Sequence, residues 1–141
     1  MLSALHRLTR QLMSVTLAVC LGLCLMLSAC SGAGASTLTG DYVEDTVAVA
    51  HTLQSTIALE ADDEGRAEAE TAATELINDY MSRYRPRPQV NGLSSFTTMQ
   101  TALNSLAGHY KTYANRPLPD ALRSRVTKEL GKAEKSVVRG S

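Results

Sequence analysis

Six large apolar residues, Phe96, Met99, Leu103, Leu106, Tyr110 and Tyr113, recur at intervals of three and four between Ser94 and Pro119. On an α-helix that spacing lines them up as one seam, whereas a strand would scatter them over both faces. Ser94 or Ser95 is the expected N-cap, and Arg116-Pro117 the expected stop, since proline lacks a backbone donor and restricts the residue before it. Only Lys111 carries a full charge between those signals. The side opposite the seam is built instead from Thr97, Gln100, Thr101, Asn104 and Gly108, an unusual choice where Glu and Lys are the rule. Thr97, Thr101 and Asn104 are therefore candidates for a partner-binding face.

Three further stretches carry the same periodicity. The first helix is expected from Asp41 to Leu59, with Asp41 and Glu44 as a D-x-x-E capping box and Val43, Val47, Ala50, Leu53 and Ile57 as its buried stripe. The second follows the acidic link Glu60 to Glu64 and runs to Tyr84, with Ala69, Ala73, Leu76, Tyr80 and Tyr84 inward and Glu64, Glu68, Glu75 and Asp79 on another face. The link lacks the alternating oxygen ligands of a calcium loop and reads as an acidic helix start. The last helix opens near Asp120. Its apolar face is Leu122, Val126, Leu130, Ala133 and Val137, and a basic stripe of Arg125, Lys128, Lys132, Lys135 and Arg139 lies opposite. Four amphipathic helices with short connections predict an all-α, up-down-up-down four-helix bundle over residues 40–141.

The first 29 residues do not belong to that bundle. His6, Arg7 and Arg10 precede an apolar run from Leu12 to Leu27, the pattern of an export signal and too short for the roughly 20 residues of a membrane span. Leu27-Ser28-Ala29-Cys30 matches a bacterial lipobox, so Cys30 is expected to carry diacylglycerol, with an N-acyl chain such as palmitate after cleavage. Cys20 and Cys24 leave with the signal, which excludes a disulfide from the mature chain. Residues 30–39 read as a lipidated terminus and flexible tether. Several acyl chains make such an anchor stable where a single one does not.

Charge is polarised along a chain whose 14 basic and 14 acidic residues balance. Residues 41–79 hold 11 acids and one base, and residues 83–141 hold 11 bases and three acids. Arg83, Arg85 and Arg87 end the second helix, where they complement its dipole or form a docking patch for a carboxylate-bearing partner. The basic stripe of the last helix is either a solvated face or a contact for an acidic protein or anionic lipid. Arg125, Lys128 and Lys132 are the residues singled out there.

Catalytic patterns are lacking. His51 and His109 belong to no H-x-x-x-H or E-x-x-H pair that a metal needs, and the chain has no glycine-rich phosphate loop or serine-centred elbow. Neither an enzyme nor a metal or cofactor site is expected, nor is nucleic acid a partner for an exported chain of this charge.

Four blocks, LTGDYVEDTVAV from Leu38, INDYMSRYR from Ile77, GLSSFTTMQTALNSLAGHY from Gly92 and RPLP from Arg116, closely resemble the cyanobacterial photosystem II lipoprotein family numbered twenty-seven in the Psb series. The resemblance covers essentially the whole mature chain in the same order. It implies a lumenal, lipid-anchored, monomeric four-helix bundle on the thylakoid membrane. Its implied partners are photosystem II assembly or repair intermediates, bound at the lumenal loop of an inner antenna chlorophyll-binding subunit before the manganese cluster and extrinsic subunits are complete. Among individual positions only Cys30 carries over. Without the resemblance, an exported bundle that holds a small ligand or metal in its core, or a purely structural envelope lipoprotein, stays open.

Overall fold

The computed structural model describes residues 37–114 and 116–140, all helix and connection with no strand among them. The expected export signal, lipobox and Cys30 lie outside the described residues. Four long helices, α1 (Tyr42–Ile57), α2 (Arg66–Tyr84), α4 (Ser94–Thr112) and α5 (Asp120–Val138), are joined by short connections, one of which contains a single helical turn, α3 (Pro88–Asn91). Pro88 opens that turn, where its missing N–H costs nothing, and Val90 turns inward.

Side-chain contacts fix the directions. Thr46 meets Tyr80 and Asp45 meets Tyr84, so α1 and α2 are antiparallel. Ser94 meets Ser136 and Ser105 meets Arg125, so α4 and α5 are too. His51 on α1 reaches Glu134 on α5, and α2 also packs on α4, which closes the ring α1–α2–α4–α5. The expected up-down-up-down bundle is the observed one.

The seam of α4 is the centre of the core. Phe96, Met99, Leu103 and Leu106 are at most 1% exposed, together with Ala102. Tyr113, expected at the end of this seam, is instead 50% exposed, because it is the C-cap residue with φ −125° and leaves the helical path. Leu53, Tyr80, Tyr84, Val126 and Leu130 close on this seam from the other helices, and Ile77 joins them unforeseen.

Several expected positions shift. On α1 Val43 is exposed and Val47 half-buried, while Asp45, Thr46 and Val49 point inward. The buried stripe is rotated by a residue or two because polar groups occupy part of it. Ala69, Leu76 and Leu122 are only half-buried. Asp41 does cap α1, accepting from the Glu44 N–H at 2.9 Å, but the Asp41 N–H is satisfied by Thr39 Oγ1 at 3.2 Å. Neither Ser94 nor Ser95 caps α4. Leu93 holds the N-cap position and Ser95 is buried, hydrogen-bonded to the Tyr42 hydroxyl at 2.8 Å.

Candidate docking surfaces and tether junction

The expected docking residues fall into three groups. Thr97, Thr101 and Asn104 are exposed on α4. The two threonine hydroxyls donate into their own helix, to the Leu93 carbonyl at 3.2 Å and the Thr97 carbonyl at 2.9 Å. With those protons turned inward, methyl groups and hydroxyl lone pairs remain for a partner. Ser105 continues the pattern by donating to the Thr101 carbonyl at 2.9 Å.

Arg125, Lys128 and Lys132 are exposed on α5, and Lys135 and Arg139 extend their line. Arg125 donates from Nη2 to Ser105 Oγ at 2.9 Å, and its Nε lies 4.0 Å from Glu129. This hydrogen bond ties the basic stripe to the neutral face of α4, so the two candidate patches meet at Ser105. Lys128 and Lys132 form no ion pair among the described residues.

The three arginines after α2 have separate roles. Arg87 donates to the Gly40 carbonyl at 3.2 Å and places its guanidinium 4.8 Å from the Tyr84 ring centroid, within cation–π range. Arg83 is half-buried, with Nη1 3.4 Å from where a Cβ on Gly40 would stand. Arg85 is exposed, while Arg87 is thus engaged by its own chain.

What engages it is a junction that the sequence reading missed. Leu38 and Thr39, assigned to the tether, belong to the body: Leu38 is buried at 8% exposure. The Thr39 N–H and hydroxyl donate to Asp45 Oδ1 at 2.7 and 2.8 Å, and the Gly40 N–H and Tyr84 hydroxyl donate to Oδ2 at 3.0 and 2.5 Å. Gly40 adopts φ +97°, which a side chain would resist. Burial alone would raise the Asp45 pKa, yet these donors together hold it below the ordinary carboxylate value. Beside them Tyr42, Tyr80, Tyr84 and Phe96 form an aromatic cluster with ring centroids 4.9–6.3 Å apart. The one available signal was Asp45 itself, an acid in phase with Val49 and Leu53 on the inward side of a helix.

The histidines are structural neighbours of other groups. His51 lies 3.1 Å from Glu134, and His109 donates from Nε2 to the Arg116 carbonyl at 3.2 Å. Among the described residues no three His, Cys, Asp or Glu side chains are grouped to hold a metal, and no helix is long and apolar enough to cross a membrane. An interior ligand site calls for converging polar groups without partners. Asp45, Thr46 and Ser95 are instead hydrogen-bonded to protein groups, while the buried Tyr110 hydroxyl, near Arg66 and Glu70, is one of several buried polar atoms with no hydrogen-bond partner among the described residues.

Comparison with known proteins places this geometry. Residues 7–137 match the family model described as Photosystem II Pbs27. The chain is 47% identical over 131 residues to the photosystem II lipoprotein Psb27 of Synechocystis sp., covering 92% of each. It is 43% identical to the photosystem II assembly factor lipoprotein Psb27 of Thermosynechococcus vestitus, covering 83% of this chain and 87% of that one. A solution structure of Psb27 from cyanobacterial photosystem II superposes with a TM-score of 0.73 at 48% identity, covering 79% of this chain and 96% of that one. The crystal structure of PSB27 from Arabidopsis thaliana gives 0.69 at 32% identity, covering 71% and 98%.

Proposed function

This chain belongs to the Photosystem II Pbs27 family, a family of assembly factors and not of enzymes, and from that premise we propose that it serves photosystem II assembly and repair as a tethered escort. The observation that carries the reading is identity of 47% over 131 residues, 92% of each chain, to a relative named as a photosystem II lipoprotein. Cys30 holds the lipid, on the lumenal face of the thylakoid membrane. The body, a monomer without a cofactor, binds photosystem II intermediates through a lumenal loop of an inner antenna chlorophyll-binding subunit, before the manganese cluster and extrinsic subunits are in place.

The joined surface of α4 and α5 suits transient docking. Thr97, Thr101 and Asn104 offer acceptors and methyl groups, and Arg125, Lys128 and Lys132 offer cations to an acidic loop. Tethering raises the local concentration of the body, so a modest interface suffices and release remains open.

Two experiments test this. Reversing Arg125, Lys128 and Lys132 to glutamate is expected to reduce capture of photosystem II intermediates by a tagged protein at least tenfold; undiminished capture would eliminate the basic stripe as the docking face. Cys30→Ala is expected to free the protein from carbonate-washed membranes, and full retention of that variant would count against the lipid anchor.

A further inference from the structure

The junction at Asp45 determines which end of the bundle the tether leaves from. Leu38 and Thr39 are fastened beside the start of α1 and the end of α2, and the antiparallel packing brings the end of α5 to the same level. Only eight residue steps separate Cys30 from Leu38, at most about 28 Å of chain. Helices of 19 residues are about 28 Å long, so the opposite end stands a further bundle length away.

The two ends differ in chemistry. The tether end carries Arg83, Arg85, Arg87 and Arg139, against two exposed acids, Asp41 and Glu44, since Asp45 is buried. Arg85 and Arg139 are exposed, and so are Val43 and Val138, at 42% and 67%. Two of the three exposed large apolar residues among those described thus lie at this end, Val138 next to Arg139 in the chain. The far end carries the exposed acids Glu60, Asp62, Asp63 and Glu64 in the connection between α1 and α2 and Asp120 at the start of α5, against the exposed cations Lys111 and Arg116 beside and within the α4–α5 connection, so acids outnumber cations on its exposed surface. An anionic bilayer attracts cations and admits small apolar groups at its surface, and it repels the acidic tip.

We infer that the tether end of the bundle, through Arg85, Arg139, Val43 and Val138, is itself a binding surface for anionic lipid headgroups and stands the bundle end-on with its acidic tip away from the membrane. Such contact complements the lipid at Cys30: the acyl chains supply residence, and the arginine end supplies orientation. It leaves the flank of α4 and α5 free for the proposed protein partner. The inference takes its tether length from anchoring at Cys30, but the surface acts without the lipid.

The test therefore uses the chain from residue 30 onward with Cys30→Ser, which cannot be acylated. A body of this extent folds without its leader in the family, since the cyanobacterial solution structure covers 79% of this chain with 96% of its own. Flotation with vesicles of phosphatidylcholine alone is compared with vesicles containing 30 mol% phosphatidylglycerol. Each cation at an anionic leaflet is worth about fivefold in partitioning. Binding to the anionic vesicles is expected to exceed binding to the neutral ones at least tenfold, to fall to the neutral level in 0.5 M salt, and to be lost in Arg85→Glu/Arg139→Glu. The pair Arg125→Glu/Lys128→Glu, on the part of α5 remote from the tether, is expected to leave it within twofold. Equal binding to both vesicle types would overturn the inference, as would a loss from the Arg125/Lys128 pair as large as that from Arg85/Arg139. Neither result bears on capture of photosystem II intermediates, which the earlier experiments read separately.

Discussion

Asp45 forms no ion pair among the described residues; four hydrogen-bond donors hold its charge. Charge-assisted hydrogen bonds are stronger than neutral ones, and removing the acceptor strands the buried Tyr84 hydroxyl and three part-buried donors from Thr39 and Gly40. Asp45→Ala is expected to cost about 3 kcal/mol in chemical denaturation. Because its pKa is lower when folded, the carboxylate stabilises the fold above its unfolded value of about 4 and that contribution fades as pH falls through the folded value. Wild-type stability should thus drop on acidification below about pH 4, and Asp45→Asn should show a shallower drop. Gly40 belongs to the same junction. Its φ of +97° makes Gly40→Ala destabilising by about 1–2 kcal/mol, measurable in the same denaturant series.

At the scale of one helix, α4 combines a tightly buried seam with a weak helix former on its outer side. Gly108 lies within the helix, has no left-handed φ, and has no atom within 4 Å of where a Cβ would stand. Gly108→Ala is expected to stabilise by about 0.5–1 kcal/mol, seen as a raised Tm. Leu103→Ala, at a fully buried seam position, is expected to cost about 2–5 kcal/mol. A larger effect at Gly108 than at Leu103 would mean that the inward and outward faces of α4 are misassigned.

For the molecule as a whole, the tyrosines report on the closed bundle. Burial raises the pKa of Tyr80 and Tyr84 well above the ordinary phenol value. Burial and the Glu70 carboxylate push Tyr110 up to about 12, against the opposing effect of Arg66. The folded state therefore holds these protons more tightly than the unfolded chain; the associated stability is intact below about pH 10 and lost as pH rises toward the folded values. In an alkaline titration, the phenolate absorbance of these three among the five tyrosines should appear together with loss of the helical circular dichroism signal. Appearance while the helices persist would show that the core admits hydroxide locally.

Periodicity alone was enough for the four long helices, for their antiparallel order and for the seam from Phe96 to Tyr110, because a 3.6-residue repeat of large apolar groups has one way to be buried. Four sequence blocks were enough for the family. What periodicity could not reach was the polar content of the core. Asp45, Thr46 and Ser95 look like surface residues until Tyr42, Tyr80 and Tyr84 arrive from positions 34 to 53 residues away to satisfy them. For the same reason the engagement of Arg87 and the meeting of α4 with α5 at Ser105 emerged only from tertiary structure, since each depends on a hydrogen bond between segments remote in sequence; the fastening of Thr39 and Gly40 to Asp45 spans only five or six residues, but it needs Asp45 turned into the core, where Tyr84 meets it once the bundle has closed.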